Sequence, residues 1–187
     1  LLLEHNKYSF NTGLSAFEDL QKNSSDRYQF VLPYYDFSST IMNNNYGTFN
    51  FASRGNNDLK NTNNLRTKII NDINFRSSDK ILYNYGSKNN FGIYLKNSNI
   101  VGKNDTLYKS RPNIELMTMF EFNSSVPMAK EENDNLSTLT PRFSLRINPS
   151  NMSNKASSDR NINTANIFDI DRLSLDETIE AGESLTY

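Results

Sequence analysis

The chain has no cysteine, no tryptophan and a single histidine, His5, among its 187 residues. Without cysteine there is no disulfide, no thiolate nucleophile and no thiolate metal site. One histidine, near one end of the sequence, leaves little support for a His-based triad and excludes a multi-histidine metal centre within these residues. Neither sign of charge is in excess. Twenty Lys and Arg against 21 Asp and Glu give a formal net charge of -1, without the basic surplus of a nucleic-acid binder. No apolar run approaches the roughly 20 residues of a membrane-spanning helix, and sustained helical periodicity is missing.

What is present is polar and strand-like. Asn and Ser abound, and the aromatic 12% is entirely Tyr and Phe, residues that favour strands. The most legible stretch is Thr138–Asn148. Leu139, Phe143, Leu145 and Ile147 alternate with Thr138, Thr140, Arg142, Ser144, Arg146 and Asn148, and Pro149 closes the run. Such period-two alternation gives one greasy and one wet face. The spacing predicts strands over Tyr8–Leu20, Arg27–Ser38, Tyr46–Arg54, Leu65–Arg76, Asn90–Val101, Asn113–Ser124, Thr138–Asn148 and Thr178–Tyr187. Several match the roughly 9–11 residues that cross a bilayer at a tilt. Runs of Asn, such as Asn43-Asn44-Asn45 and Asn56-Asn57, fall in the connections.

Within these segments one face is apolar: Leu65, Ile69, Ile73 and Phe75; Phe91, Ile93 and Leu95; Ile114, Leu116, Phe120 and Phe122. The opposite faces carry Arg66, Lys68, Asp72 and Arg76; Tyr94, Lys96 and Ser98; Glu115, Met117, Met119 and Glu121. Ile70 and Asn71 break the alternation, Arg27–Ser38 is ambiguous, and Pro33 marks an edge, bulge or break. The expected fold class is all-β, a fragment of a large antiparallel transmembrane β-barrel. It would form one partial domain over 1–187, truncated at both ends, with apolar residues on lipid and polar residues on the lumen. A soluble β-sandwich alternates too; strand length and long polar connections favour the barrel.

Three further pieces carry a family resemblance. They are Asn113-Ile114-Glu115-Leu116 continuing to Ser125-Val126-Pro127-Met128; Leu139-Thr140-Pro141-Arg142-Phe143 through Asn148-Pro149-Ser150; and Asn166-Ile167-Phe168-Asp169-Ile170-Asp171-Arg172-Leu173-Ser174 continuing to Ile179-Glu180-Ala181-Gly182 and Leu185-Thr186-Tyr187. In that order and spacing, Arg111–Tyr187 resembles the barrel region of the LPS-assembly protein LptD (organic solvent tolerance protein) family. Leu173 replaces the family's aromatic residue, and Leu175 and Thr178 stand where Gly and Arg are common. The first 110 residues fit by strand rhythm alone.

The resemblance implies a non-enzymatic outer-membrane translocon that inserts lipopolysaccharide into the outer leaflet. It implies an LptE-like lipoprotein plug and a periplasmic Lpt bridge as partners, and no nucleic acid, cofactor or metal. It also singles out a motif loop with Asp171, Arg172, Ser174, Glu180 and Gly182. Arg66, Lys68, Lys96, Arg142 and Arg146 are the candidates for the lumen and for lipopolysaccharide phosphates, which Arg binds bidentately. The alternative for each is pairing with Glu115, Glu121 or Asp72. Arg172 is expected to pair with one acid of the cluster Asp169, Asp171, Asp176, Glu177 and Glu180, which matches no EF-hand spacing. Another outer-membrane barrel, such as a porin or TonB-dependent receptor, remains open as the alternative to the LPS-assembly reading.

Overall fold

The structure is a computed structural model and describes residues 1–22, 27–61, 63–82, 86–132, 135–151, 161–170, 172–173 and 177–187. It is all-β and antiparallel, with 70% of the residues in strands and no α-helix among the described residues. The strands are β1 (Leu2–His5), β2 (Tyr8–Glu18), β3 (Tyr28–Asn44), β4 (Gly47–Lys60), β5 (Asn64–Ser77), β6 (Lys80–Leu82), β7 (Ser87–Lys103), β8 (Asn113–Ser125), β9 (Met128–Glu132), β10 (Asn135–Leu139), β11 (Arg142–Asn148) and β12 (Gly182–Thr186). Ten of them form one sheet in the order β1-β2-β3-β4-β5-β7-β8-β11-β12, with β6 added on β7; β9 and β10 form a separate hairpin. The sheet is a meander, open, and not closed into a barrel.

Several strands exceed their expected spans. β3 and β7 are 17 residues each, and β4 and β5 are 14 each, where a globular strand averages about 5–6. The β3–β4 connection is tightened by Asn44, whose Oδ1 accepts from the backbone N–H groups of Tyr46 at 2.9 Å and Gly47 at 3.3 Å, a local bond that suits Asn to turns. A Cβ on Gly47 would sit 2.3 Å from the Arg76 carbonyl oxygen, so only glycine fits.

Two strand expectations need correction. Thr138–Asn148 is two strands, interrupted at Thr140-Pro141 opposite Val126-Pro127. Neither proline has an N–H for the ladder, and one backbone bond, Val126 N–H to the Pro141 carbonyl at 3.1 Å, crosses the break. The last strand begins at Gly182, at φ +97°, rather than at Thr178. In β2–β3 the register shifts between Gly13 and Ser15, beside Pro33. An extra residue there exchanges the faces, which explains the mixed alternation of Arg27–Ser38.

The residues pack into two compact units, Leu1–Ile41 with Phe49–Ile73 and Leu95–Leu116, and Met42–Thr48 with Asn74–Tyr94 and Met117–Tyr187. In the first unit, Phe37 stands between Phe10 and Phe51 at centroid distances of 6.5 and 6.0 Å. In the second, Phe75, Phe91 and Phe120 form a row across β5, β7 and β8 at 5.7 and 6.4 Å. That unit's buried cluster is small: Tyr94, Met117, Met119 and Ile179, with Ile170 against it.

In β7, β8, β11 and β12 several large apolar residues are exposed and several polar ones buried. Along β8, Ile114 is 71% and Leu116 66% exposed, whereas Met117 is 1% and Met119 3% exposed. Phe91, Ile93, Phe120, Phe143 and Leu185 are likewise exposed, while Ser98, Glu121, Ser144, Arg146, Asn148 and Thr186 are buried. On β8 and β11 the covered face carries Glu121, Ser144, Arg146 and Asn148 beside Met117 and Met119.

Candidate functional site

The covered face follows from period two. Consecutive residues point to opposite sides, so β8 turns Met117, Met119, Glu121 and Asn123 to the side on which β11 places Ser144, Arg146 and Asn148. Buried charges need partners; Arg146 and Glu121 pair here as ions, although Arg146 Nε and Glu121 Oε1 themselves make no hydrogen bond among the described residues. Arg146 Nε lies 3.5 Å from Glu121 Oε1. The Tyr94 hydroxyl donates to Glu121 Oε2 at 3.4 Å, and an Arg146 Nη2 hydrogen bond reaches the backbone carbonyl of Asp169.

That carbonyl belongs to the segment 161–181, of which Ile170, Arg172, Thr178, Ile179 and Glu180 also lie against the sheet. Asn148 Nδ2 donates to the Ile179 and Glu180 carbonyls at 3.3 and 2.8 Å. The Thr178 hydroxyl donates to Met117 Sδ at 3.2 Å. Buried Asn166 receives the Asn163 N–H at 2.8 Å and donates to the carbonyls of Asn161 and Arg172 at 3.0 and 3.1 Å. The Arg172 guanidinium grips both oxygens of Glu180, with Nε to Oε2 at 2.9 Å, and reaches Ser184 Oγ at 3.2 Å. Such a two-pronged pair fixes orientation as well as charge.

The first unit carries its own ion pairs. Asp72 lies between Arg54 at 3.3 Å and Lys96 at 3.1 Å. Arg66 Nη2 pairs with Asp105 at 2.8 Å and its guanidinium stands 4.5 Å over the Tyr108 ring. Asp105 thereby holds the connection after β7 onto β5, assisted by Asn104 Nδ2 donating to Asn63 Oδ1 at 2.6 Å. Burial alone would raise the Asp105 carboxyl. The N–H groups of Leu107 and Tyr108 and the Arg66 guanidinium outweigh it and hold the group below its ordinary 3.8.

On the other face of the same strands runs a belt of neutral groups. The Tyr35 hydroxyl and Ser53 Oγ are 3.1 Å apart. Ser53 donates to Asn71 Oδ1 at 2.7 Å, and Asn71 Nδ2 donates to Asn97 Oδ1 at 3.1 Å. Asn97 Nδ2 ends the belt on the Glu115 carbonyl at 3.3 Å. Ile70 and Asn71 therefore keep the backbone alternation: Ile70 is buried on the face of Asp72, and Asn71 sits in the belt.

Of the sequence candidates, Arg66, Lys96, Arg146 and Arg172 are in ion pairs, and Lys68 is half-buried on the Asp72 side. Glu180 is the partner of Arg172, and Gly182 opens β12. Asp171 and Ser174 lie outside the described residues. Arg142 differs from the others. It is exposed, its guanidinium is 5.9 Å from the Phe168 ring, and it borders a cleft of about 510 Å³ with Arg76 and Lys88. Sequence reasoning put Arg76 on the polar face without a role, named Phe168 only within the family motif, and missed Lys88, Arg54 and Asp105. Lys88 falls outside the expected strand, and Asp105 and Phe168 lie in connections, where alternation carries no signal.

No family model matches the chain, and no curated protein or solved structure is significantly similar to it.

Proposed function

We propose that the chain is a section of an outer-membrane β-barrel of the lipopolysaccharide-assembly type, its apolar face on lipid and its polar face on a lumen. One observation carries the barrel reading: Phe91, Ile93, Ile114, Leu116, Phe120, Phe143 and Leu185 of β7, β8, β11 and β12 are exposed, while Ser98, Glu121, Ser144, Arg146, Asn148 and Thr186 of the same strands are buried. In water each exposed Å² of apolar surface forgoes about 25 cal/mol, and large contiguous exposed patches mark interaction with a membrane or partner. Strands of 13–17 residues in β3, β4, β5, β7 and β8 have length to spare for a tilted crossing. The resemblance of Arg111–Tyr187 to the LptD family supports the finer reading. On it, lipopolysaccharide arrives from a periplasmic Lpt bridge, passes a lumen plugged by an LptE-like lipoprotein, and enters the outer leaflet without a bond being made or broken.

The pairings divide the candidate cations. Arg146 and Arg172 tie 161–181 to the sheet, and Arg66 and Lys96 serve internal pairs. Arg142, like Arg76 and Lys88 beside it, has no carboxylate partner among the described residues, and it is the sequence candidate best placed to meet a passing anionic lipid. The test is surface lipopolysaccharide in cells that depend on the intact protein. Arg142→Glu should leave barrel assembly intact and lower surface lipopolysaccharide, whereas Arg146→Glu should impair assembly itself. Normal surface lipopolysaccharide with Arg142→Glu removes that residue from the pathway. Unchanged lipopolysaccharide on depletion of the whole protein abandons the transport reading in favour of a porin or receptor barrel.

A further inference from the structure

The cleft beside Arg142 lies within the second unit, at one end of its polar face. Its charged lining is Arg76 from β5, Lys88 from β7, Arg142 from β11 and Asp79 from the short connection after β5. Three cations against one carboxylate give a net +2. Asp79 is already engaged, its Oδ1 accepting from Asn90 Nδ2 at 2.8 Å. None of the three cations is within 4 Å of a carboxylate among the described residues, although Arg54, Arg66, Lys96, Arg146 and Arg172 all are. The cation–π contact with Phe168 holds Arg142 without neutralising it. Neutral polar groups join the lining: Asn90 and Asn123, themselves 3.2 Å apart, with Ser124, Ser125 and Thr140. Pro127, Phe143 and Phe168 close it with apolar surface.

We propose that this cleft is a binding site for a phosphate monoester dianion. Two guanidinium forks and an ammonium supply directed donors to several oxygens at once. The net +2 matches a dianion, where a carboxylate would leave one charge unanswered. About 510 Å³ is within the usual range for a small-ligand site. The same group comes free in solution or on a lipid headgroup, and the cleft recognises the group in either case. The site rests on its own lining and does not depend on the lipid-facing reading of the opposite face.

The intact protein, purified in a non-ionic detergent, is titrated at pH 8 with inorganic phosphate and, separately, with micelles carrying phosphatidic acid against phosphatidylcholine. Binding is read by calorimetry and by ³¹P line broadening. Arg142→Gln should weaken binding about tenfold, the loss of a hydrogen bond to a charged group, and the triple variant R76Q/K88Q/R142Q should abolish it. Arg142→Lys, which keeps the charge and loses the fork, should fall between. The three side chains are exposed or at the cleft rim, so unchanged thermal unfolding of the variants will show that the loss is local. Binding of inorganic phosphate supports a site for the free group, and binding of phosphatidic acid micelles alone assigns the source to a headgroup. The proposal is overturned if the wild type binds neither, or if the triple variant binds as tightly as the wild type. Either result leaves the depletion and lipid-facing tests of the transport reading untouched.

Discussion

Replacing Leu116 with arginine separates a lipid-facing sheet from one in water. The outward positions of β8 run Ile114, Leu116, Thr118, Phe120 and Phe122, with Ile114, Leu116 and Phe120 exposed. From Ile114 to Phe122 is eight residues, about 27 Å at roughly 3.4 Å each. A tilt of about 40° reduces this to about 21 Å along the membrane normal, most of the roughly 25 Å apolar band of an outer-membrane barrel. Leu116 then lies about 5 Å from the middle of the band and Ile114 about 10 Å. Arginine at the midplane costs about 2–4 kcal/mol and near the interface about 0–1. At a position two-thirds exposed to water the same change stays within about 0.5 kcal/mol. In reversible guanidinium unfolding of the intact protein from phospholipid vesicles, Leu116→Arg should therefore lose about 2–3 kcal/mol and Ile114→Arg about 1. Refutation is a Leu116→Arg variant as stable as wild type, or the two substitutions costing the same.

Three other expectations concern the polar groups. Glu121→Ala leaves Arg146 buried without its carboxylate and should cost about 3–5 kcal/mol; a second change, Arg146→Met, should recover part of it, as a double-mutant cycle of thermal unfolding will show. Asp105, with a lowered folded-state value, stabilises the β7–β8 connection fully above its ordinary 3.8 and loses that contribution as pH falls through the lower folded value. Exchange protection of the Leu107 and Tyr108 amides should hold from pH 7 to 5 and drop below pH 4, and Asp105→Asn should remove the dependence. Arg172→Gln forfeits the pair with Glu180, about 1.5–3 kcal/mol, and should speed chymotryptic cleavage at Phe168 while leaving the sheet's circular dichroism unchanged.

Period two made the long strands legible. β5, β7 and β8 fall where Leu65–Arg76, Asn90–Val101 and Asn113–Ser124 were expected, because each repeats the alternation over five or more pairs. β1, β6 and β9 have 4, 3 and 5 residues, too few for a pattern to stand out from composition. The break at Pro141 was written in the missing N–H, but its effect needed Pro127 opposite. Alternation also assigned the cations to the polar face. It could not choose their partners, because register and connections decide these: Arg66 finds Asp105, 39 residues away, rather than Glu115.

Neighbouring residues of β4, β5 and β7 are tied on both faces at the same level. Ser53, Asn71 and Asn97 join on one side, and Arg54, Asp72 and Lys96 on the other. A slip of one residue would send amides to the ion-pair side and charges to the amide side; a slip of two would unmatch both rows. The pattern thus works as a double-keyed lock on alignment during assembly, rejecting mispaired strands by a mismatch on either face. Long polar strands with little apolar core to guide them need such a lock, and it explains why asparagine is useful here in the middle of a strand.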